Sequence, residues 1–294
     1  MCVWPKAKEE LSVLEEMRNP APLDASSGEQ AARKRRRAWS RLRGKLGIVL
    51  CQLGLLAALL GVWQYATSSQ ALNAFLFGSP SEIWGFLVKM QQDGSLVHDA
   101  GVTGMETLLG FLLGNVIGTV LGLLLWYSRF VSRVVQPFIV ALGSIPIVAL
   151  APLVIIWFGT GLASKLAMST LSVVVVALVI AYKGATGVDD DQINLMRTLG
   201  AAKRQIFLKL VIPASLRDIF AGLKLTVGFA LIGAILGEFM SSSDGLGHAI
   251  FKAGSLYIIP KVFAGVVVTI ALALFLSFLV GRLERLLMPW HKFD

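Results

Sequence analysis

Long apolar runs alternate with short polar stretches along the chain. The runs cover about 46–67, 105–127, 134–158, 162–182, 219–240 and 262–280, each near the roughly 20 residues that a helix needs to cross a hydrocarbon core. The pattern predicts six spans and an all-α integral membrane protein. In the second run Gly110, Gly114, Gly118 and Gly122 recur every four residues along one slowly drifting helix face. Small residues so spaced let a neighbouring helix, from this chain or another, approach closely. The third run contains Pro137, Pro146 and Pro152, so it should be bent or broken. Carbonyls freed by a break are tolerated only against protein or a water-filled path, which places this span at the bundle interior.

The longest internal polar stretch is 183–218. Asp189, Asp190 and Asp191 read as a helix start, Ile193–Leu199 as a short amphipathic run, and Gly200 as its break. A second run, 202–211, is expected to end at Pro213. The stretch predicts a helix, a tight turn and a helix lying against the membrane. Elsewhere Ser79 or Ser81 caps a short outer helix running to about Met90, with Glu82 in its first turn. Residues 241–261 form an outer loop that begins turn-rich. Glu106 is expected at the membrane interface, and Lys224 is expected to snorkel toward the inner surface.

Composition agrees with a membrane location. The 294 residues are 55% hydrophobic and 15% charged, with a mean hydropathy of +0.72, whereas a soluble chain carries about 25% charged residues. Residues 1–45 read as a basic tail without stable structure, followed by a transmembrane domain over 46–294. The tail is too long for a signal peptide, and 46–67 is long enough to span. The net charge of +9 could suggest nucleic acid, but its distribution explains it otherwise. Of the 27 Lys and Arg, only Lys89, Lys165, Lys252 and Lys261 fall in outer segments and Lys224 in a span. The rest lie in inner segments if both termini are cytoplasmic, as the positive-inside rule expects.

Catalytic and metal chemistry is not visible. No Gly-x-x-x-x-Gly-Lys-Ser/Thr loop occurs; 159–165 resembles one only in composition. His98, His248 and His291 are scattered, Cys2 and Cys51 are far apart, and none has metal-ligand spacing. The chain therefore carries no nucleotide or metal site of its own.

The segment Asn194-Leu195-Met196-Arg197-Thr198-Leu199-Gly200-Ala201, continued by Ile206-Phe207 and Leu210-Val211-Ile212-Pro213, resembles the "EAA" loop of ABC importer permeases. Gly200 and Pro213 have the family spacing, while Asn194-Leu195-Met196 replaces the Glu-Ala-Ala triplet. Ser79-Pro80-Ser81-Glu82, Ile145-Pro146 through Pro152 and Trp157-Phe158-Gly159, Gly237-Glu238-Phe239, Gly245-Leu246-Gly247 and Met288-Pro289-Trp290-His291 resemble one branch, the permeases for nitrate, aliphatic sulfonates, taurine and bicarbonate. The resemblance implies a type I importer-like core in a bacterial inner membrane. It implies a second permease subunit, a homodimer, on two cytoplasmic ATPases that hold ATP and Mg, fed by an external binding protein.

On that resemblance Asn194, Leu195, Met196, Arg197, Leu199, Gly200, Ala201, Lys203, Arg204 and Pro213 form the coupling surface. Leu195, Met196 and Leu199 would make the apolar contact, and Arg197, Lys203 and Arg204 would match charge. Asn115, Ser144, Pro146, Pro152 and Glu238 are candidates to line the path. Glu238 would repel an anion, so packing or gating suits it better. The alternative is a self-sufficient secondary transporter or channel. Such a protein would commonly show ionisable residues in mid-membrane or matched repeat halves, and neither is clear here.

Overall fold

A computed structural model describes residues 25–287, and every regular element in that range is helical. The first 24 residues of the expected tail and the Met288–His291 motif lie outside the described residues. The chain divides into two units, 1–65 and 66–294. In the first, α1 (Ala25–Ser68) runs through the basic block into the first apolar run.

The second unit opens with α2 (Ala74–Phe77) and α3 (Pro80–Gln92). Ser79 caps α3 by accepting from the Glu82 N–H at 3.3 Å. There follow α4 (Ser95–Trp126), α5 (Arg129–Ser144), α6 (Ile147–Phe158) and α7 (Leu162–Thr186). Next come α8 (Asp190–Thr198), α9 (Lys203–Ile206), a π turn (Phe207–Val211) and α10 (Ile212–Ser241). The outer loop expected at 241–261 holds a helix, α11 (Leu246–Ser255), before α12 (Ile259–Leu287). Among the described residues five helices are long and apolar enough to cross a membrane, or six spans if α5 and α6 count as one.

The third span is broken, with α5 and α6 meeting at 95°. The break falls at Pro146 alone, and Pro137 and Pro152 sit inside helices. Proline pushes the residue before it out of helical space, and Ile145 is extended at φ −74°, ψ 123°.

The core gathers around α7, which packs against α4 and α10. The glycine face of α4 meets α7 of the same chain. A Cβ built on Gly114 would lie 2.6 Å from the Val173 Cβ, and one on Gly118 would lie 2.7 Å from the Ala177 Cβ. Phe111, Val173, Ala177, Val227, Ala230, Leu276 and Val280 fill the centre between α4, α7, α10 and α12.

Two lysines meet carboxylates that the sequence did not pair with them. Lys224 approaches Glu284 of α12 to 2.5 Å, and Glu284 is buried, so the lysine end is held by a carboxylate. Lys165 enters the bundle and donates to Glu106 at 2.8 Å. Glu106 is 1% exposed, so it is a buried partner of α7 and not an interfacial residue.

Candidate functional site

The polar stretch after α7 folds as a closed unit. Asp189 accepts from the Asp191 N–H at 3.0 Å and starts α8, with Asp190 and Asp191 in the first turn where the helix dipole favours acids. At the other end Gly200 has φ +77°. Its N–H reaches the Arg197 carbonyl at 2.9 Å, and the Ala201 N–H reaches the Met196 carbonyl at 3.0 Å. This pair of bonds is a Schellman closure, which needs a left-handed residue that glycine adopts without a Cβ penalty.

The second helical run does not stop at Pro213. Helical structure passes from Lys203 through the π turn into α10, a continuous 39-residue stretch to Ser241. The Ile212 N–H reaches back five residues to the Phe207 carbonyl. The wider turn takes up the strain beside Pro213, whose missing N–H is harmless in the first turn of α10. The expected wet loop is therefore a short helix, one tight turn and the end of a long span.

The two faces of α8 have different surroundings. Ile193 is buried and Met196 packs beside it, in a cluster with Ala185 of α7, Ile206 and Val211, and Trp126 of α4. Phe207 stacks on Trp126 at 5.4 Å and meets Tyr127 edge-on at 5.9 Å. Leu195 and Leu199 point away, at 61% and 74% exposed. Met196 thus faces inward, apart from the two leucines with which it was grouped. Lys203 donates to the Tyr127 carbonyl at 2.6 Å and lies over the Tyr127 ring, so it ties α9 to the end of α4. Asn194 accepts from Arg197 at 3.2 Å on the exposed face, and Arg204 is exposed too. Ala201 is half-buried against the cluster.

The path candidates separate into two groups. Ser144, Pro146 and Pro152 are exposed along the α5–α6 bend. Ser144 donates to the Val140 carbonyl. Asn115 and Glu238 are sealed inside the subunit and belong to packing. Asn115 donates to the Phe111 carbonyl and accepts from Thr226 at 3.1 Å, joining α4 to α10. Glu238 accepts from Thr103 at 2.6 Å and from the Gly247 N–H at 2.6 Å. Thr103 in turn accepts from the Leu246 N–H at 2.9 Å. Glu238 therefore anchors the first turn of α11 to α4, where orphan N–H groups want an acceptor.

Sequence reasoning missed the Lys165–Glu106 pair. Its signal was present: opposite charges inside two apolar runs are costly in lipid unless they meet. Among the described residues no group of three or more His, Cys, Asp or Glu could hold a metal ion.

A model of the family described as "Binding-protein-dependent transport system inner membrane component" matches residues 114–289. The chain is 32% identical over 235 residues to a probable ABC transporter permease protein of Haemophilus influenzae, covering 80% of this chain and 95% of that one. It is 34% identical to the riboflavin transport system permease protein of Chloroflexus aurantiacus, over 80% of this chain and 88% of that one. It is 26% identical to the taurine transport system permease protein of Escherichia coli, over 83% and 90%. In fold it resembles a chain of the inward-facing MetNI methionine ABC transporter, with a TM-score of 0.60 and 20% identity, covering 66% of this chain and 97% of that one.

Proposed function

The chain belongs to the family of binding-protein-dependent transport system inner membrane components, and from that premise we propose that α8 is the surface on which a cytoplasmic ATPase acts. The protein is the non-catalytic, multi-pass permease of an ABC importer. The observation that carries the coupling reading is the two-faced α8. Its outer face offers exposed Leu195 and Leu199, and its inner face is packed on the ends of α4 and α7, on α9 and on the π turn that leads into α10. Each fully buried Ile or Val in that cluster contributes about 1.5–3 kcal/mol. A displacement of α8 therefore moves the spans instead of detaching from them. That is the two-state element by which a partner biases a conformation.

The partners on this reading are two ATPases that hold ATP and Mg, a second copy of this chain, an external binding protein and the bilayer, with no nucleic acid. The α8 end and both termini face the cytoplasm. Arg197 and Arg204 supply charge to the ATPase groove, Lys203 braces the turn against the Tyr127 carbonyl, and Asn194 stands where an acid is usual in the family motif.

Leu195→Asp with Leu199→Asp should abolish co-purification of the ATPase while the permease keeps its elution volume, since both leucines are on the surface. Retained ATPase would remove α8 as the docking element. Gly200→Val meets no atom within 4 Å, so its cost is conformational. A β-branched residue in left-handed space costs about 1–2 kcal/mol, and import per ATP hydrolysed should fall about tenfold. Import at the normal ratio would show that the turn is not needed.

For the substrate we propose a small anion of the taurine, aliphatic sulfonate, nitrate or bicarbonate kind. The similarity to the taurine permease supports it, while the similarity to the riboflavin permease supplies the competing class. Calorimetry on the binding protein isolated with the complex decides between them. Binding of taurine or nitrate is expected, and binding of riboflavin alone would overturn the anion reading.

A further inference from the structure

Beside α8 lies a cavity of about 780 Å³, bounded by the α4–α5 elbow, the end of α7, and α8 with α9. Arg129 and Arg133 of α5, Arg197 of α8 and Lys203 of α9 border it, against one carboxylate, Asp190. Among the described residues the ion pairs are His98–Asp244, Lys165–Glu106 and Lys224–Glu284, so none of these four cations is neutralised by a carboxylate. Four unneutralised cations around one cavity repel one another, and a multiply charged anion between them relieves the repulsion. Ser132 and Gln136 add neutral hydrogen-bonding groups from α5. Trp126 and Ile193 give the cavity an apolar side.

We propose that this cavity binds an organic phosphate with an apolar body, and that the bound phosphate ties α5 to α8. Size and lining decide the class. The volume lies in the range of about 300–1,000 Å³ typical of small-molecule sites, well above what a bare inorganic anion fills. Guanidinium groups match phosphate oxygens bidentately, and two elements contribute them. The apolar side suits an acyl or ring portion. One source is an anionic phospholipid of the adjoining leaflet, which already attracts juxtamembrane Arg and Lys. The other is a soluble phosphate ester. Either would hold the coupling helix against α5 and so set how freely it follows the ATPase. The consequence for coupling rests on the function proposed above, but the binding does not.

The test uses the full chain in nanodiscs, with and without its ATPase. Short-chain phosphatidylglycerol and glycerol 3-phosphate are the probes, and short-chain phosphatidylcholine is the control. Phosphatidylglycerol should protect residues 128–136 and 190–204 of the wild-type chain from hydrogen exchange, and Arg129→Gln with Arg133→Gln should weaken its binding about tenfold. The same protection by glycerol 3-phosphate would support the site and assign it to a soluble ester. Protection by phosphatidylcholine equal to that by phosphatidylglycerol, or protection by neither phosphate, would overturn the proposal. The exchange readout needs no variant, so a poorly folding double variant leaves the test intact. Protection without any effect on ATP hydrolysis would keep the anion site and count instead against α8 as the coupling element.

Discussion

Lys165→Met should strip the bundle of most of its stability in detergent. Lys165 Nζ is 2.8 Å from Glu106 Oε1, with the two side chains 11% and 1% exposed. The second oxygen of Glu106 has no hydrogen-bond partner. Removing the cation leaves the Glu106 carboxyl buried without a partner. Losing one partner of a buried ion pair costs about 3–5 kcal/mol, because the other charge stays desolvated. Thermal unfolding followed by tryptophan fluorescence is the measurement, and a variant that melts with the wild type would show the pair to be idle. Lys165→Met combined with Glu106→Gln should recover much of the loss, since only a neutral amide then remains. That non-additivity separates an ion-pair effect from a simple packing defect.

Gly118→Ala should separate α4 from α7. The added Cβ would clash with the Val174 carbonyl oxygen and lie 2.9 Å from the Leu178 nitrogen, both backbone atoms of α7. A flexible side chain could turn away, whereas a helix backbone must move as a unit. Overpacking of this kind costs about 1–3 kcal/mol, even though alanine is the better helix former by about 1 kcal/mol. Gly228→Ala is the matched control, with nothing within 4 Å of its Cβ. It should leave the melting temperature unchanged or raise it slightly. Equal behaviour of the two variants would mean that the glycine face is incidental. Gly118→Leu should be worse than Gly118→Ala, and the folded yield should fall with side-chain volume.

Much of the α8 region is legible in the sequence. Asp189, Gly200 and the amphipathic run between them are local signals, because caps and left-handed turns are satisfied by atoms a few residues away. Which face of α8 is turned inward was not readable. Leu195, Met196 and Leu199 are alike in chemistry, and only the positions of Trp126, Ile206 and Val211 make Met196 the inward member. Lys203 is a surface charge in the sequence and in the structure, but its bond to the Tyr127 carbonyl, 76 residues away in sequence, is a tertiary feature. Pro213 misled for a related reason. As a helix breaker it argued for a stop, and the π turn that accommodates it has no sequence signature of its own.

By itself the sequence determined the membrane class, the approximate spans, the interruption of the third span and the turn at Gly200. These follow from hydropathy and from backbone constraints that act within a few residues. Only the tertiary structure decided that the α4 glycines face α7 of the same chain. It also decided that Asn115 and Glu238 are sealed in the subunit, and that Lys165 and Glu106 neutralise each other. Those outcomes depend on which helices become neighbours, and in an apolar medium hydrophobicity does not rank one neighbour above another. Close backbone approach and the pairing of the few buried polar groups select the arrangement, and both are properties of residues distant in sequence.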